Sequence, residues 1–318
     1  LERLGPVKER MGITRVSDIT PLDCVGIPVY HAVRPANVHY QNNICAYNGK
    51  GLTKIQAKVS AMMEAAERFS AELTTQPVKV ASSRQIKELG PHVSPEELLM
   101  PPQESWSPEV PLEWVPGLDM MSGEALWVPA AAVFYPYFPI ASGRFLANFS
   151  DTNGLASGNT LGEAITHAMF ELIERDSEVF TFARNAAKNV DLKSIKNSLI
   201  LELISKFDSA GINLLLKEIT SDMGVPTFFA STDDPGARDP ALLCYGMGSH
   251  WCAEIAAMRA ITEVAQSRCS IISGVRRDLD EFDERRGSSY DEEKKSLSYW
   301  FEPGHDLKAF DSIEAKTY

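Results

Sequence analysis

Three glutamates and an arginine with the spacing of one helix lie within residues 153–177, which read NGLASGNTLGEAITHAMFELIERDS. At ~100° per residue, Glu163, Glu174 and Glu171 fall at roughly 0°, 20° and 80° around a helix axis. Apolar residues occupy the opposite side, at roughly 140° to 240°, so the segment predicts an amphipathic helix with one acidic face. Arg175 directly follows Glu174. An acidic face on one helix is usually only solvated.

A second acidic helix face changes that interpretation. Residues 60–68 end in the same E-x-x-E-R pattern as the first segment. Ser60, Glu64 and Glu67 fall at roughly 0°, 40° and −20° on the helical wheel. Carboxylate oxygens are the ligands that Mg²⁺ prefers. Two such helices therefore predict a magnesium site between facing carboxylates.

A third helix, predicted over residues 252–271, carries a further polar group on the pattern E-x-x-Q-x-R. Glu263 and Gln266 lie on adjacent turns of one side, whereas Arg268 points ~140° away from Glu263. The three side chains therefore do not all lie on one face of the helix. A glutamine in a buried helix is more often a hydrogen-bonded core group than a ligand.

Familiar catalytic motifs do not occur elsewhere in the chain. The sequence contains no Walker A loop, no G-x-S-x-G, no G-x-G-x-x-G and no H-E-x-x-H. His167 lies one turn from Glu163 on the acidic side, where a supporting hydrogen bond is the favoured role. Residues 48–51, Asn-Gly-Lys-Gly, predict a turn before the acidic helix that contains residues 60–68. Lys50 in this turn can touch a phosphate, but the pattern assigns it no role.

Composition limits the class of protein. The chain has 318 residues, 31 Lys and Arg against 43 Asp and Glu, and a net charge of −12. A nucleic-acid backbone is therefore an unfavourable partner, and no apolar run approaches the ~20 residues of a membrane helix. Five scattered cysteines without a zinc pattern predict reduced thiols and a cytoplasmic location. We expect one domain over residues 1–318, with a mobile charged segment at 277–318.

The three motifs together resemble the YcaO family. They are S-x-x-x-E-x-x-E-R at 60–68, S-G-N-x-x-x-E ending in E-x-x-E-R-D at 157–176, and E-x-x-Q-x-R at 263–268. The likeness spans most of the chain in the family's order. Shorter phrases at 12–15, 26–29, 48–51 and 153–159 resemble the archaeal branch found in methanogens. That branch is associated with a thioglycine in the alpha subunit of methyl-coenzyme M reductase.

The resemblance implies an α+β fold, with mixed sheets flanked by long helices and ATP held between helices without a P-loop. It also implies a site that binds ATP and Mg²⁺. The implied Mg²⁺ ligands are Glu64, Glu67, Glu163, Glu171 and Glu174. The implied ATP contacts are Ser60, Asn159, Arg175 and Arg268. Glu174 and Arg175 are the implied catalytic pair, and Glu263, Gln266 and His167 are expected beside the site.

The implied activity is ATP- and Mg²⁺-dependent O-phosphorylation of a peptide backbone amide, followed by thioamide formation with a sulfide source. The implied partners are a peptide or protein substrate, foremost the methyl-coenzyme M reductase alpha subunit, and a separate TfuA-like protein. A homodimer is also expected. Two alternatives stay open: an azoline-forming cyclodehydratase of the same fold, and a non-catalytic scaffold that binds nucleotide or metal. No P-x-P-x-P tail of the cyclodehydratase branch is visible, which favours the thioamide.

Overall fold

Two compact units make up the chain. The computed structural model describes residues 5–35, 45–72, 77–98, 107–137, 151–275, 284–304 and 307–314. The larger unit comprises Leu1–Ala66 and Ala156–Tyr318, and the smaller unit is Glu67–Leu155. The boundary between them falls inside the first long helix. The expectation of a single domain over residues 1–318 stays a prediction.

The larger unit contains two sheets. Its strands are β1 (Arg15–Asp18), β2 (Val29–Val33), β3 (Ala46–Lys50), β7 (Lys188–Asp191), β8 (Asn213–Glu218), β9 (Thr227–Asp233), β10 (Cys244–Ser249) and β11 (Leu307–Ala309). The first three form an antiparallel sheet in the order β1-β2-β3. The others form a mixed sheet in the order β10-β9-β8-β7-β11, in which only the pairing of β11 with β7 is parallel.

Long helices accompany these sheets. They are α1 (Lys54–Ala71, which continues into the smaller unit), α3 (Leu161–Arg184), α4 (Ser198–Ala210) and α5 (Ala253–Ser273), followed by the short α6 (Tyr290–Ser296) and α7 (Ser298–Phe301). The fold class expected from the sequence, α+β with mixed sheets flanked by long helices, is confirmed. Helix α4 begins at Ser198, because Asn197 caps it by accepting hydrogen bonds from its first backbone amides. In the described residues, no helix combines the length and the apolar character needed to cross a membrane.

The main core of the larger unit lies between the five-stranded sheet and the helices α4 and α5. Its fully buried side chains include Ile200, Phe207, Leu216, Phe228 and Ile261. α4 brings Ile200 and Phe207 to the core on its apolar face, which is the usual arrangement for a helix over a sheet. This core holds α5 in place, and α5 carries one of the three motifs.

Two glycines let helices lie directly on strands. A Cβ atom on Gly49 of β3 would lie 2.0 Å from the backbone nitrogen of Ala61 in α1. One on Gly248 of β10 would lie 2.2 Å from the backbone oxygen of Ala256 in α5. The expected turn at residues 48–51 is therefore wrong for residues 48–50, which belong to β3. Glycine is required there for close backbone approach rather than for a turn.

The charged stretch after Gly274 is folded in its described part. Helices α6 and α7 bury Tyr290 and Phe301, which pack with Leu243, the residue directly before β10. Further on, Phe310 is buried and stacks on Phe228, with ring centroids 5.6 Å apart. Composition alone predicts a mobile segment here because charged residues are so frequent after Gly274. A few well-spaced aromatic residues are enough to anchor the described residues.

The smaller unit contains the antiparallel sheet β4-β5-β6 and one short helix. Its elements are β4 (Lys79–Ala81), α2 (Ser83–Leu89), β5 (Leu112–Leu118) and β6 (Ala125–Pro129). Trp114 is fully buried at its centre and donates a hydrogen bond from Nε1 to the Ala81 carbonyl, 2.8 Å away. The Tyr137 hydroxyl donates to buried Glu113 at 2.5 Å. These two buried polar groups are thus paired within the unit.

Candidate active site

The N-terminus of α3 brings two of the predicted site residues into contact. The side chain of Thr160 caps the helix by accepting from the backbone amide of Glu163. Asn159 donates to the Glu163 carboxylate from its backbone amide at 2.9 Å and from Nδ2 at 3.0 Å. The helix dipole favours an anion at this end. Asn159 and Glu163 are therefore linked by hydrogen bonds at the N-terminus of α3.

The polar face of α3 points into the larger unit. Phe170, Glu174, Ser177 and Thr181 are its buried residues, and Glu174 is only 5% exposed. Thr181 donates from Oγ1 to the backbone oxygen of Ile219 at 3.0 Å. An acidic helix face is usually exposed to solvent, but Glu174 on this face is buried. A carboxylate is costly to bury without partners, so this position needs a compensating charge or ligand.

The apolar face of α3 points outward, which reverses the usual arrangement. Leu161 is 74% exposed and Val179 is 68% exposed. We call the exposed apolar side chains of this face the outer stripe: Leu161, Met169, Leu172, Val179 and Phe182. Soluble proteins rarely leave a contiguous apolar face uncovered, so the stripe marks a surface that contacts something else.

Strand β3 and helix α5 bring a lysine to the buried face of α3. Lys50, the last residue of β3, forms an ion pair through Nζ with Oε2 of Glu263 on α5. Both side chains are partly buried. Arg259 lies one turn before Glu263 and Gln266 one turn after it, and both are partly buried. Glu263 is therefore at the centre of a charged cluster.

The charges of this cluster contribute to opposite shifts in the pKa values of Glu174 and Glu263. Burial and the negative charge of Glu263 raise the pKa of Glu174 to about 7, although Lys50, Arg259 and Arg175 oppose the shift. Burial also raises the pKa of Glu263, but the charge and hydrogen bond of Lys50 outweigh it, so that this pKa is lowered overall. Two carboxylates thus share a site in which one is stably ionised and the other holds a proton readily.

Arg175 has an unused donor beside these carboxylates. Its Nη2 lies 4.0 Å from Oε1 of Glu171, one turn earlier on α3. Its Nε is buried and has no hydrogen-bond partner within the described part of the chain. Burial lowers the pKa of Arg175, but the charges of Glu174 and Glu263 outweigh this and raise it. A partly exposed guanidinium whose buried Nε has no partner suits an anionic ligand such as a phosphate.

His167 lies near the same cluster, on the turn of α3 that follows Glu163. Burial and the positive charges of Arg259 and Lys50 lower the pKa of His167, against a hydrogen bond with the backbone of Ser157. The hydroxyl of Ser157 donates to the backbone oxygen of Met63 in α1, 3.3 Å away. The loop before α3 thus connects α1 to the region of His167.

The predicted site residues of α1 are divided between the two units. Ser60 and Glu64 are partly buried in the larger unit, and Glu67 belongs to the smaller unit. Among the described residues, no three His, Cys, Asp or Glu side chains are grouped to hold a metal ion. The five-glutamate magnesium set therefore stays a prediction. Mg²⁺ commonly takes one or two carboxylates together with phosphate oxygens and water, and the pair Glu174 and Glu263 fits that smaller requirement.

Arg268 is held by two protein carboxylates through Nε and Nη2, whereas its buried Nη1 has no hydrogen-bond partner among the described residues. It is 1% exposed and makes two hydrogen bonds of 3.0 Å to Asp23, from Nε and Nη2. Nη2 also lies 3.0 Å from Oδ2 of Asp234. These ion pairs join α5 to the loop before β2 and to the loop after β9. The predicted contact of Arg268 with ATP stays a prediction, and its observed contacts are structural.

Arg268→Met is expected to destabilise the fold, because it leaves Asp23 charged in a buried place without its partner. Loss of one member of a buried ion pair costs about 3–5 kcal/mol. Chemical denaturation followed by circular dichroism measures this change. Arg84→Met, which removes the exposed ion pair with Glu109, is the control and is expected to cost less than about 1 kcal/mol. Equal stability of the two variants would contradict the structural role of Arg268.

Comparison with known proteins decides the family. The family model described as YcaO cyclodehydratase, ATP- and Mg²⁺-binding, matches residues 48–317. The chain belongs to the YcaO family. YcaO proteins are ATP-dependent enzymes that act on peptide amides, and the predicted cofactors, ATP and Mg²⁺, are those of the family's description.

Relatives of this YcaO chain occur in archaea and bacteria. An uncharacterised protein of Methanothermobacter thermautotrophicus is 39% identical over 315 residues, covering 99% of this chain and 80% of the relative. An uncharacterised protein encoded in the tfuA 3′ region of Rhizobium leguminosarum bv. trifolii is 34% identical over 288 residues, covering 87% and 66%. The chain covers 61% of a relative from Mycobacterium tuberculosis that is 33% identical. It thus spans less than two thirds of the two bacterial relatives.

Solved structures agree with this YcaO fold. YcaO from Methanopyrus kandleri bound with AMPPCP and Mg²⁺ superposes with a TM-score of 0.76 at 25% identity, covering 99% of this chain and 76% of that one. A heterocyclase in complex with substrate and cofactor gives a TM-score of 0.79 at 24% identity, covering 100% of this chain and 46% of that one. The second likeness shows the fold alone.

Two cations of the charged cluster do not follow from the sequence patterns. The motifs assign no role to Lys50 or to Arg259. The Gly-Lys-Gly phrase was a signal for Lys50, because a cation held in a tightly packed strand is unusual. Arg259 gave no signal, since it stands among apolar and small residues of α5. Only the packing of β3 and α5 beside α3 shows that both lie near Glu174.

Proposed function

We propose that this YcaO protein activates a peptide backbone amide with ATP and Mg²⁺ and exchanges its oxygen for sulfur. The observation that carries the proposal is the pair formed by buried Glu174 and partly buried Glu263, beside the unused Nε of Arg175. A pair of carboxylates suits a divalent cation, and a guanidinium with an unpaired donor suits a phosphoryl group. Positioning and charge neutralisation are the main requirements of phosphoryl transfer.

The residues have separate tasks in this proposal. Glu174 and Glu263 hold the cation, and Glu64, Glu67, Glu163 and Glu171 remain predicted further ligands. Arg175 stabilises negative charge on the transferring phosphoryl group, and Ser60, Asn159 and Arg268 remain predicted nucleotide contacts. ATP with Mg²⁺ supplies the phosphoryl group that turns the amide oxygen into a leaving group. Gln266 and His167 are proposed to support the site by hydrogen bonds.

The overall exchange is balanced. Sulfide adds to the amide carbon, the oxygen takes the terminal phosphoryl group of ATP, and phosphate then leaves with that oxygen. The products are a thioamide, ADP and phosphate. The proposed substrate is a glycine in the methyl-coenzyme M reductase alpha subunit, which would become thioglycine. Support for this choice is the motif likeness to the methanogen branch and the 39% identity to the Methanothermobacter protein.

An azoline-forming cyclodehydratase is the second candidate function. It is favoured by the family's description as a cyclodehydratase and by the fold shared with a heterocyclase. In that reaction a neighbouring Cys or Ser side chain attacks the amide, and no external sulfide is needed. A non-catalytic scaffold is the third candidate, in which the acidic residues only hold ions.

Mass spectrometry of a treated peptide distinguishes the three candidates. The purified protein is incubated with ATP, Mg²⁺ and a glycine-containing reductase peptide, with and without sulfide. We expect sulfide-dependent replacement of one oxygen by sulfur, with release of one phosphate. Loss of one water without sulfide would instead support the cyclodehydratase. ATP binding without phosphate release, also with a TfuA-like protein added, would support the scaffold.

A TfuA-like protein is the proposed partner. The support is the bacterial relative encoded in the tfuA 3′ region, which is 34% identical to this chain. Its proposed task is to deliver sulfur or to activate the enzyme. Addition of the purified partner is expected to raise the yield of thioamide at limiting sulfide.

The proposed homodimer rests on the outer stripe of α3. This face is apolar and exposed, and burial of matching faces is a common basis of two-fold assemblies. Leu172→Glu, in the middle of the stripe, is expected to convert a dimer to a monomer in light scattering. Leu199→Glu, at an exposed position of α4, is the control and should leave the mass unchanged. A Leu172→Glu variant of unchanged dimeric mass would remove the stripe as the interface.

A further inference from the structure

Lys50 stands in an unusual environment for a lysine. It is the last residue of β3, where its backbone is paired with Val29 of β2. Close packing of Gly49 on α1 leaves the strand little freedom. The Lys50 side chain is 23% exposed and forms an ion pair with Glu263. Lysines usually lie in full contact with water, so this one is held inside the cluster by its carboxylate partner.

The charge of Lys50 acts on both carboxylates of the cluster. It contacts Glu263 directly and acts through space on Glu174. Arg259 also acts on both groups through space. Lys50 therefore differs from Arg259 in making the direct contact.

We propose that Lys50 is a positioning residue whose ammonium group balances Glu174 and Glu263 until a divalent cation binds and takes over that charge. The inference rests on the proposed function, because it concerns how the same pair of carboxylates receives its cation. A lysine suits this task better than an arginine. Its ammonium is a compact point charge on a flexible stem, so it can leave one carboxylate without breaking a two-pronged contact.

The role has a consequence for cation binding. In the absence of a cation, the ammonium of Lys50 holds the Glu263 carboxylate by its ion pair and offsets the repulsion between Glu263 and Glu174. When a cation binds, it competes with Lys50 for the carboxylate oxygens. Affinity for the cation is therefore lowered by the lysine, and the site stays intact when it is empty.

The experiment measures Mn²⁺ binding to the full chain by electron paramagnetic resonance, without ATP or peptide. Lys50→Met is expected to bind Mn²⁺ about tenfold more tightly than the wild type, because the competing ammonium is gone. Its melting temperature in EDTA is expected to fall and to recover when Mn²⁺ is added. Lys50→Arg, which keeps the charge, is expected to keep the wild-type melting temperature in EDTA. Arg259→Met loses the same charge without the direct contact, so its gain in Mn²⁺ affinity should be clearly smaller.

Two results would overturn the inference. One is a Lys50→Met variant that binds Mn²⁺ no more tightly than Arg259→Met. The other uses the wild type and so does not depend on the folding of a variant: labelling of Lys50 by an amine-specific reagent, read by mass spectrometry. We expect Mn²⁺ to increase this labelling, since the ammonium is released, and unchanged labelling would exclude the exchange. A protein that passes both tests but forms no thioamide would contradict the proposed function alone.

Discussion

Glu174→Gln is expected to lower ATP-dependent phosphate release by at least about a hundredfold, because the amide cannot supply the negative charge that a cation and its phosphate need. Glutamine has nearly the same shape, so the buried position on α3 remains filled. The measurement is the kcat for phosphate release with peptide and sulfide at saturating Mg²⁺. Alanine is the poorer test, because Glu174 is buried and its removal would leave a cavity.

Two controls separate chemistry from folding at Glu174. Glu178→Gln makes the same change one turn later on α3 and is expected to keep most of the activity. In cation-free buffer, the raised pKa of Glu174 means that the folded state binds more protons than the unfolded state between pH 4.5 and about 7. Wild-type stability should therefore fall as pH rises through this window, whereas Glu174→Gln lacks that contribution. Full activity of Glu174→Gln would remove Glu174 from the site.

Arg175→Met is expected to lower kcat by about a hundredfold to a thousandfold, which corresponds to about 2.7–4 kcal/mol of lost transition-state stabilisation. The physical reason is the buried, unpaired Nε beside Glu174 and Glu263, which has a donor to offer to developing charge. Methionine keeps much of the apolar stem, so the effect reports the guanidinium. The measurement is single-turnover phosphate release, together with the dissociation constant of ATP.

Arg184→Met is the matched control for Arg175. Arg184 lies on the same helix at an exposed position, with its guanidinium 4.3 Å from the centroid of the Phe180 ring. Its replacement is expected to leave kcat unchanged. If Arg175→Met weakens ATP binding but leaves the single-turnover rate intact, Arg175 binds the nucleotide without acting on the transition state.

The long helices followed well from local patterns, and the fold class followed from the resemblance to the YcaO family. The helix expected at 252–271 agrees with Ala253–Ser273 to within two residues, and the helical motif at 60–68 lies within Lys54–Ala71, because both helices are long and strongly patterned. Residues 48–50 belong to β3 although the sequence predicts a turn there. Glycine and asparagine usually signal turns, whereas here glycine permits contact between backbones. Local signals do not separate these two uses of glycine.

The candidate site was predictable in part. The acidic face of α3 with Glu174, and Arg175, were expected as site residues, and Glu263 was expected beside the site. The ion pairs of Arg268 with Asp23 and Asp234 were not, because their partners are separated by up to 245 positions along the chain. The same holds for Lys50 and Glu263, which are 213 positions apart.

Residue types and their spacing established the acidic stripes, the long helices and the likeness to the YcaO family, since these depend on neighbours within a few turns. Tertiary structure decided which face of α3 is buried and which cations lie beside Glu174. The physical reason is that an amphipathic pattern specifies two faces but not which of them meets the core. In α3 the polar face with Glu174 is buried while Leu161 and Val179 stay exposed, and that depends on how β3 and α5 pack.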